Sequence, residues 1–135
     1  MNSGGGAMTD RLAIDGLLRG LYAARLRGDL DAVCRSFSDD AVFQIAGAGQ
    51  VSTVSNRAIG VGEFRPLLAV MIKTFKLRDQ AILSMLIDGM KAAVHWRANV
   101  YSRITGTTAL TELVDIVEVR NARIVSYIEF FAPQS

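Results

Sequence analysis

Residues 110–131 read LTELVDIVEVRNARIVSYIEFF, and this stretch decides the fold. Two apolar runs of strand length, rich in Val, Ile and aromatic residues, flank the turn signal Asn121-Ala122-Arg123. The pattern predicts a β-hairpin. Each run carries an acid among apolar neighbours, Asp115 in the first and Glu129 in the second. Because side chains alternate faces along a strand, Asp115 is expected beside Leu113, Val117 and Val119, and Glu129 beside Val125, Tyr127 and Phe131. A carboxylate on an apolar strand face is costly unless something uses it.

Working outward, the second half of the chain repeats this character. Strands are expected over 78–87, 91–103, 108–120 and 123–132, joined at Asp88-Gly89, Thr105-Gly106 and Asn121-Ala122. The first half reads as helical. Between Thr9 and Arg27, residues Leu12, Leu17, Leu18, Leu21, Tyr22 and Leu26 recur at helical spacing. Gly28-Asp29 stops this helix and caps a second over 30–37, and a third is expected over 63–75, with Pro66 in its first turn where the missing N–H costs little. Ser38-Asp39-Asp40 is expected to turn the chain into a first strand over 41–45, followed by a loop over 46–56 placed as a lid or rim, with room for a short strand around 51–59. Helices followed by a long meander predict an α+β fold in which three N-terminal-half helices cover one face of a curved antiparallel sheet. Residues 1–8 are expected to be a flexible leader to a single domain over 9–135.

Composition narrows the function classes. The chain has 135 residues, half of them hydrophobic, which suffices for one real core. Fifteen Lys and Arg are scattered among thirteen Asp and Glu without a basic block, which argues against a nucleic-acid partner. One Cys, Cys34, excludes an intrachain disulfide, and together with a single His it leaves no Cys and His set for structural zinc. Neither a metal nor an organic cofactor is expected, and a reducing, cytoplasmic setting fits best. The opening residues lack the form of a signal peptide, and no run approaches the ~18 apolar residues of a membrane span, so no membrane partner is expected.

Three stretches resemble one known family. They are Gly28-Asp29-Leu30-Asp31-Ala32 followed by Phe37-Ser38-Asp39-Asp40-Ala41, then Val94-His95-Trp96-Arg97-Ala98 leading to Thr105-Gly106, and the terminal run from Ile124 to Phe131. All resemble the nuclear transport factor 2-like superfamily, which includes steroid Δ-isomerases, SnoaL-type polyketide cyclases and limonene epoxide hydrolase. The resemblance covers nearly everything from residue 9 to 132. It implies a cone of curved sheet capped by helices around a pocket, a cystatin-like α+β barrel, and a homodimer formed through the sheet. The fold hosts many reactions, so it does not select one.

Carried over residue by residue, the steroid isomerase pattern places its base at Ile45, which cannot accept a proton. Its tyrosine position falls on Leu21, with Tyr22 rotated by about 100° on the helix. Only the penultimate-strand acid is matched, by Asp115. The epoxide hydrolase pattern, an arginine and two acids holding water, is matched in part by Arg97, Asn99 and Glu129. Alternation along 94–100 puts Val94, Trp96, Ala98 and Val100 on the apolar face, so Arg97, Asn99 and His95 point away from the core unless a bulge reverses them.

These readings nominate Asp115 and Glu129 as a proton-transferring pair, with Tyr22, Trp96, Tyr127 and Phe131 shaping a pocket for a small hydrophobic ligand. Two carboxyls sharing one cavity would leave one of them protonated near neutral pH. The alternatives stay open: Asp115 satisfied by an arginine or facing water, Glu129 in a structural ion pair, and the aromatics as plain core. His95 reads as a surface or dimer-interface residue, and Cys34, on the buried side of a short helix, as an inert thiol. The expected function is a SnoaL-like isomerase or cyclase acting on an apolar carbonyl compound. A non-catalytic ligand-binding or dimerisation module and an epoxide-hydrolase-like enzyme stand beside it.

Overall fold

The computed structural model describes residues 3–47 and 57–133. Helix α1 (Ser3–Arg27) presents Ile14, Leu18, Leu21 and Tyr22 to the core. At 100° per residue these lie within about 60° of Leu18, whereas Leu12 and Leu26 lie about 120° and 80° away. That explains why the latter two, expected in the buried stripe, are largely exposed. The helix begins at Ser3, so its span takes in residues 3–8. Extending an existing helix costs far less than nucleating one.

The Asp29 side chain accepts from the Ala32 N–H at 3.1 Å and caps the short helix α2 (Leu30–Arg35). Strand β1 (Phe37–Gly47) follows at once, and residues 38–40, expected as a turn, lie inside it. They form an irregularity, because the pairing of β1 jumps between Phe37 and Val42. Strand β2 (Arg57–Ile59) leads into helix α3 (Val61–Thr74) through Gly60, whose φ of 82° and ψ of 159° suit glycine alone. The Ile59 N–H is held by the Glu63 carboxylate at 2.8 Å. Most of the loop expected as a lid, residues 48–56, lies outside the described residues.

The remaining strands are β3 (Phe75–Asp88), β4 (Lys91–Ser102), β5 (Thr108–Arg120) and β6 (Arg123–Pro133). The six strands form one curved, unclosed sheet in the order β2-β1-β6-β5-β4-β3. The sheet is mixed where a wholly antiparallel one was expected, because β1 pairs with β6 in parallel. The Ile124 N–H donates to the Ser36 carbonyl at 2.8 Å, so β1 and β6 start side by side.

Alternation along β5 buries Thr111, Leu113, Asp115, Val117 and Val119, as expected. In β6 the pairing slips between Glu118↔Ser126 and Val119↔Ile124, leaving Val125 out of register. Ile124 therefore takes the buried place expected for Val125, while Tyr127 and Glu129 remain inward. The core between helices and sheet is rich in rings, with Phe43 stacked on Tyr127 at 5.4 Å and Phe37 set between Phe43 and Phe64. No helix among the described residues is long and apolar enough to cross a membrane.

Candidate functional site

A cavity of about 310 Å³ lies between the concave face of the sheet and the helices α1 and α3. Its wall is apolar over most of its extent, with Met71 and Ile72 from α3, Leu77 from β3, Leu113 from β5 and Phe131 from β6. The only charged side chains among its lining residues are Arg25 and Glu129. They form the closed end, where the side chains keep only 10% and 4% of their accessibility. Ser102, Thr107 and the 43%-exposed Phe75 lie at the open end.

Arg25 was not among the residues nominated from sequence. Its signal was present, since it lies about 20° round α1 from Leu18 and so on the buried stripe. An Arg in the last turn of a helix ordinarily reads as a solvated partner of the helix dipole, which hid it. Arg25 Nη1 donates to Glu129 Oε2 at 2.5 Å, and Nη2 lies 3.3 Å from Oε1. Its guanidinium also stands 5.2 Å from the centre of the Trp96 ring and 3.4 Å from the Tyr127 hydroxyl. Burial is the largest single influence and works against the charge, but Glu129, Tyr127 and Asp115 together outweigh it and raise Arg25 above its ordinary range.

Asp115 and Glu129 are direct cross-strand partners in the β5–β6 pairing. Two carboxylates placed so closely repel each other, and the structure treats them differently. Glu129 faces the cavity and Arg25. Asp115 is fully buried behind it and does not line the cavity. Its Oδ2 accepts from the Tyr22 hydroxyl at 2.6 Å, from the Trp96 indole N–H at 2.8 Å and from the Tyr127 hydroxyl. Its Oδ1 has no partner among the described residues. Burial first, and the Glu129 carboxylate second, hold Asp115 well above the usual carboxylate range. Burial and the proximity of Asp115 likewise raise both tyrosines. The arrangement is a buried polar cluster behind a cavity floor made by one ion pair.

The nominated residues thus separate into two layers. Glu129 and Phe131 line the cavity, while Asp115, Tyr22, Trp96 and Tyr127 stand behind its floor. The wall expected from aromatics is built mainly of aliphatic side chains instead. Although Tyr22 was expected to be rotated off the tyrosine position, it reaches Asp115, because both Leu21 and Tyr22 fall on the wide buried arc of α1. Arg97 is exposed on the outer sheet face, as strict alternation demands, and takes no part in the cavity. This removes the water-holding arrangement of Arg97 with Glu129. His95 lies on the same outer face, hydrogen-bonded to Glu112 at 2.7 Å. Ile45, which stands where an acid would be needed on β1, pairs in register with Glu129 on β6, and both line the cavity. The neighbouring strand therefore supplies a carboxylate where the first strand has none.

A SnoaL-like domain model matches residues 18–127. No curated protein matches the chain. Among solved structures, a Bacillus subtilis protein provisionally described as an isomerase superposes with a TM-score of 0.81 at 16% identity, covering 91% of this chain and 88% of that one. A Xanthomonas campestris pv. campestris protein provisionally described as a polyketide cyclase gives 0.71 at 21% identity, covering 90% and 91%. An LEH-like epoxide hydrolase from M. tuberculosis gives 0.67 at 18%, covering 86% and 80%. At these identities the likeness is one of fold.

Proposed function

We propose that this chain, which belongs to the SnoaL-like domain family, binds an apolar carbonyl compound in its cavity and moves a proton on it, with Glu129 as the base. The observation that carries the reading is the ion pair of Arg25 and Glu129 at the closed end of an otherwise apolar cavity. In such a site a carboxylate meets the substrate with little competing water, and a fixed guanidinium stabilises oxygen charge as it builds. Glu129 takes a proton from the carbon beside the carbonyl while Arg25 donates to the carbonyl oxygen. The same carboxyl then returns the proton to another carbon of the enolate, giving an isomer; where the enolate carbon instead attacks a second carbonyl of the same molecule, the proton goes to the alkoxide oxygen so formed, giving a cyclised product.

Asp115 acts here as a positioning group. Held toward its neutral form, it leaves Glu129 as the carboxylate of the pair, and through Tyr127 and Trp96 it braces the face of Arg25.

The test is deuterium incorporation from D₂O into a cyclic β,γ-unsaturated ketone, followed by NMR. Exchange catalysed by the wild type and lost in a Glu129→Gln variant that circular dichroism shows to be folded at the assay temperature supports the reading. Exchange equal in the two proteins sinks it. No exchange alongside saturable ketone binding favours a ligand carrier, a reading supported by the fact that Arg25 and Glu129 already satisfy each other.

For the outer sheet face we propose a second copy of the chain as partner. Val114 and Phe130 pair across β5 and β6 and are 37% and 45% exposed, with Ile116 beside them at 42%. Light scattering should find a dimer that Val114→Lys with Phe130→Lys converts to monomer. A wild-type monomer at high concentration would refute it.

A further inference from the structure

Beyond the aromatic residues, three polar side chains are buried among the described residues: Asp115, Glu129 and Thr111. The two acids make the cavity floor and the cluster behind it. Thr111, only 5% exposed, belongs to neither, yet it lines the cavity. Alternation along β5 turns it to the same inward face as Ala109 and Leu113, which also line the lumen. Its hydroxyl donates to the Ala109 carbonyl of its own strand at 3.1 Å, the only hydrogen bond that oxygen makes among the described residues. A hydroxyl carries one proton and two lone pairs. With the proton committed, Thr111 is left able to accept and unable to donate.

The neighbours across the sheet do not use this capacity. Thr111 pairs with Ala98 on β4 and with Pro133 on β6, and neither side chain holds a donor. The cavity wall on either side is apolar as well. Leu113 and Phe131, paired across β5 and β6, separate Thr111 from the floor, and Ala109 and Val100, paired across β5 and β4, lie toward the open end. A buried acceptor in such a wall suits a donor brought in by the occupant. Its place sets the spacing. Thr111 lies four residues before Asp115, the cross-strand partner of Glu129, so about 13 Å of strand separates it from the ion pair. Arg25 and Glu129 neutralise each other there, which leaves no lone charge for a charged group to meet.

We propose that Thr111 is a specificity-determining residue of the cavity, accepting a hydrogen bond from a hydroxyl of the occupant about 10 Å from the carbonyl held at Arg25 and Glu129. The occupant is then an elongated, uncharged hydroxy ketone with an apolar middle. This rests on the cavity being the substrate site proposed above. Thr111 touches no reacting atom. It selects and orients, because one end-to-end setting of such a molecule puts the carbonyl at the floor and the hydroxyl at Thr111, and the reversed setting does not bring the carbon beside the carbonyl to Glu129.

Calorimetric titration of the full chain with decan-2-one, 10-hydroxydecan-2-one and 10-methoxydecan-2-one tests the assignment. The hydroxyl of the second can donate at the level of Thr111; the third keeps the oxygen but cannot donate. Thr111→Val keeps the shape of the side chain and removes its hydroxyl. It should weaken 10-hydroxydecan-2-one about tenfold, the effect of leaving one buried hydroxyl unpaired, and leave the other two ketones within about twofold. Thr111→Ser, which keeps the hydroxyl, should hold the wild-type affinity for 10-hydroxydecan-2-one within about twofold. Ala109→Trp, which fills the lumen, should abolish binding of all three. If Thr111→Val weakens none of the ketones, all three alike, or the hydroxy and methoxy compounds alike, while Ala109→Trp abolishes binding, Thr111 is not the acceptor and the cavity stands as the ketone site. Ketone binding that survives Ala109→Trp, or no binding of any of the three to the wild type, overturns both.

Discussion

Arg25→Met is the most informative single change, because it removes a charge while keeping an unbranched stem beside Trp96. It strands Glu129, whose side chain is 4% accessible, directly opposite Asp115. Keeping that carboxylate charged and buried costs several kcal/mol. Removing one partner of a buried ion pair typically costs about 3–5 kcal/mol, so the variant should lose about that much stability near neutral pH.

Urea unfolding near pH 7 measures the loss. The double variant Arg25→Met, Glu129→Gln should recover most of it. A loss below about 1 kcal/mol would refute the account of Glu129 as a buried charge dependent on Arg25.

Four further variants have expected outcomes. Asp115→Ala removes the acceptor shared by Tyr22, Trp96 and Tyr127 and should cost about 3 kcal/mol or more by urea unfolding. Asp115 is held above the ordinary carboxylate range when folded, so its contribution is present below that range and lost as pH rises toward the folded-state value; Asp115→Asn should flatten this part of the stability–pH curve. Trp96, the single tryptophan and fully buried, should emit at short wavelength and shift red on unfolding, and Trp96→Phe should cost about 1 kcal/mol for the hydrogen bond beyond its packing change. Gly60→Ala forces a side chain into a left-handed conformation at the start of α3 and should cost about 1–3 kcal/mol, read as a lowered thermal midpoint. An unchanged midpoint would show that the backbone there relaxes freely.

Much of the fold was legible because strands and amphipathic helices carry short periods. Period-two alternation placed Asp115 on the buried face of β5 and Arg97 on the outer face of β4, and both positions are as the alternation requires. Errors arose where the period breaks. The bulge at Val125 moved Ile124 inward, and the irregularity after Phe37 turned an expected loop at 38–40 into strand. A bulge depends on how two strands meet, so neither strand alone announces it.

The candidate site divides in the same way. The sequence by itself determined that two acids sit on inward faces of one hairpin, because alternation and the turn at Asn121-Ala122 leave them no other face. Only the tertiary structure decided that Glu129 faces a cavity and Asp115 a buried cluster of tyrosines and tryptophan. That difference depends on which side chains of α1 lie over each acid, Arg25 above one and Tyr22 above the other. Sliding the helix by three residues would carry Arg25 to the place of Tyr22 over Asp115, and no local pattern in either segment records how the helix is set against the sheet.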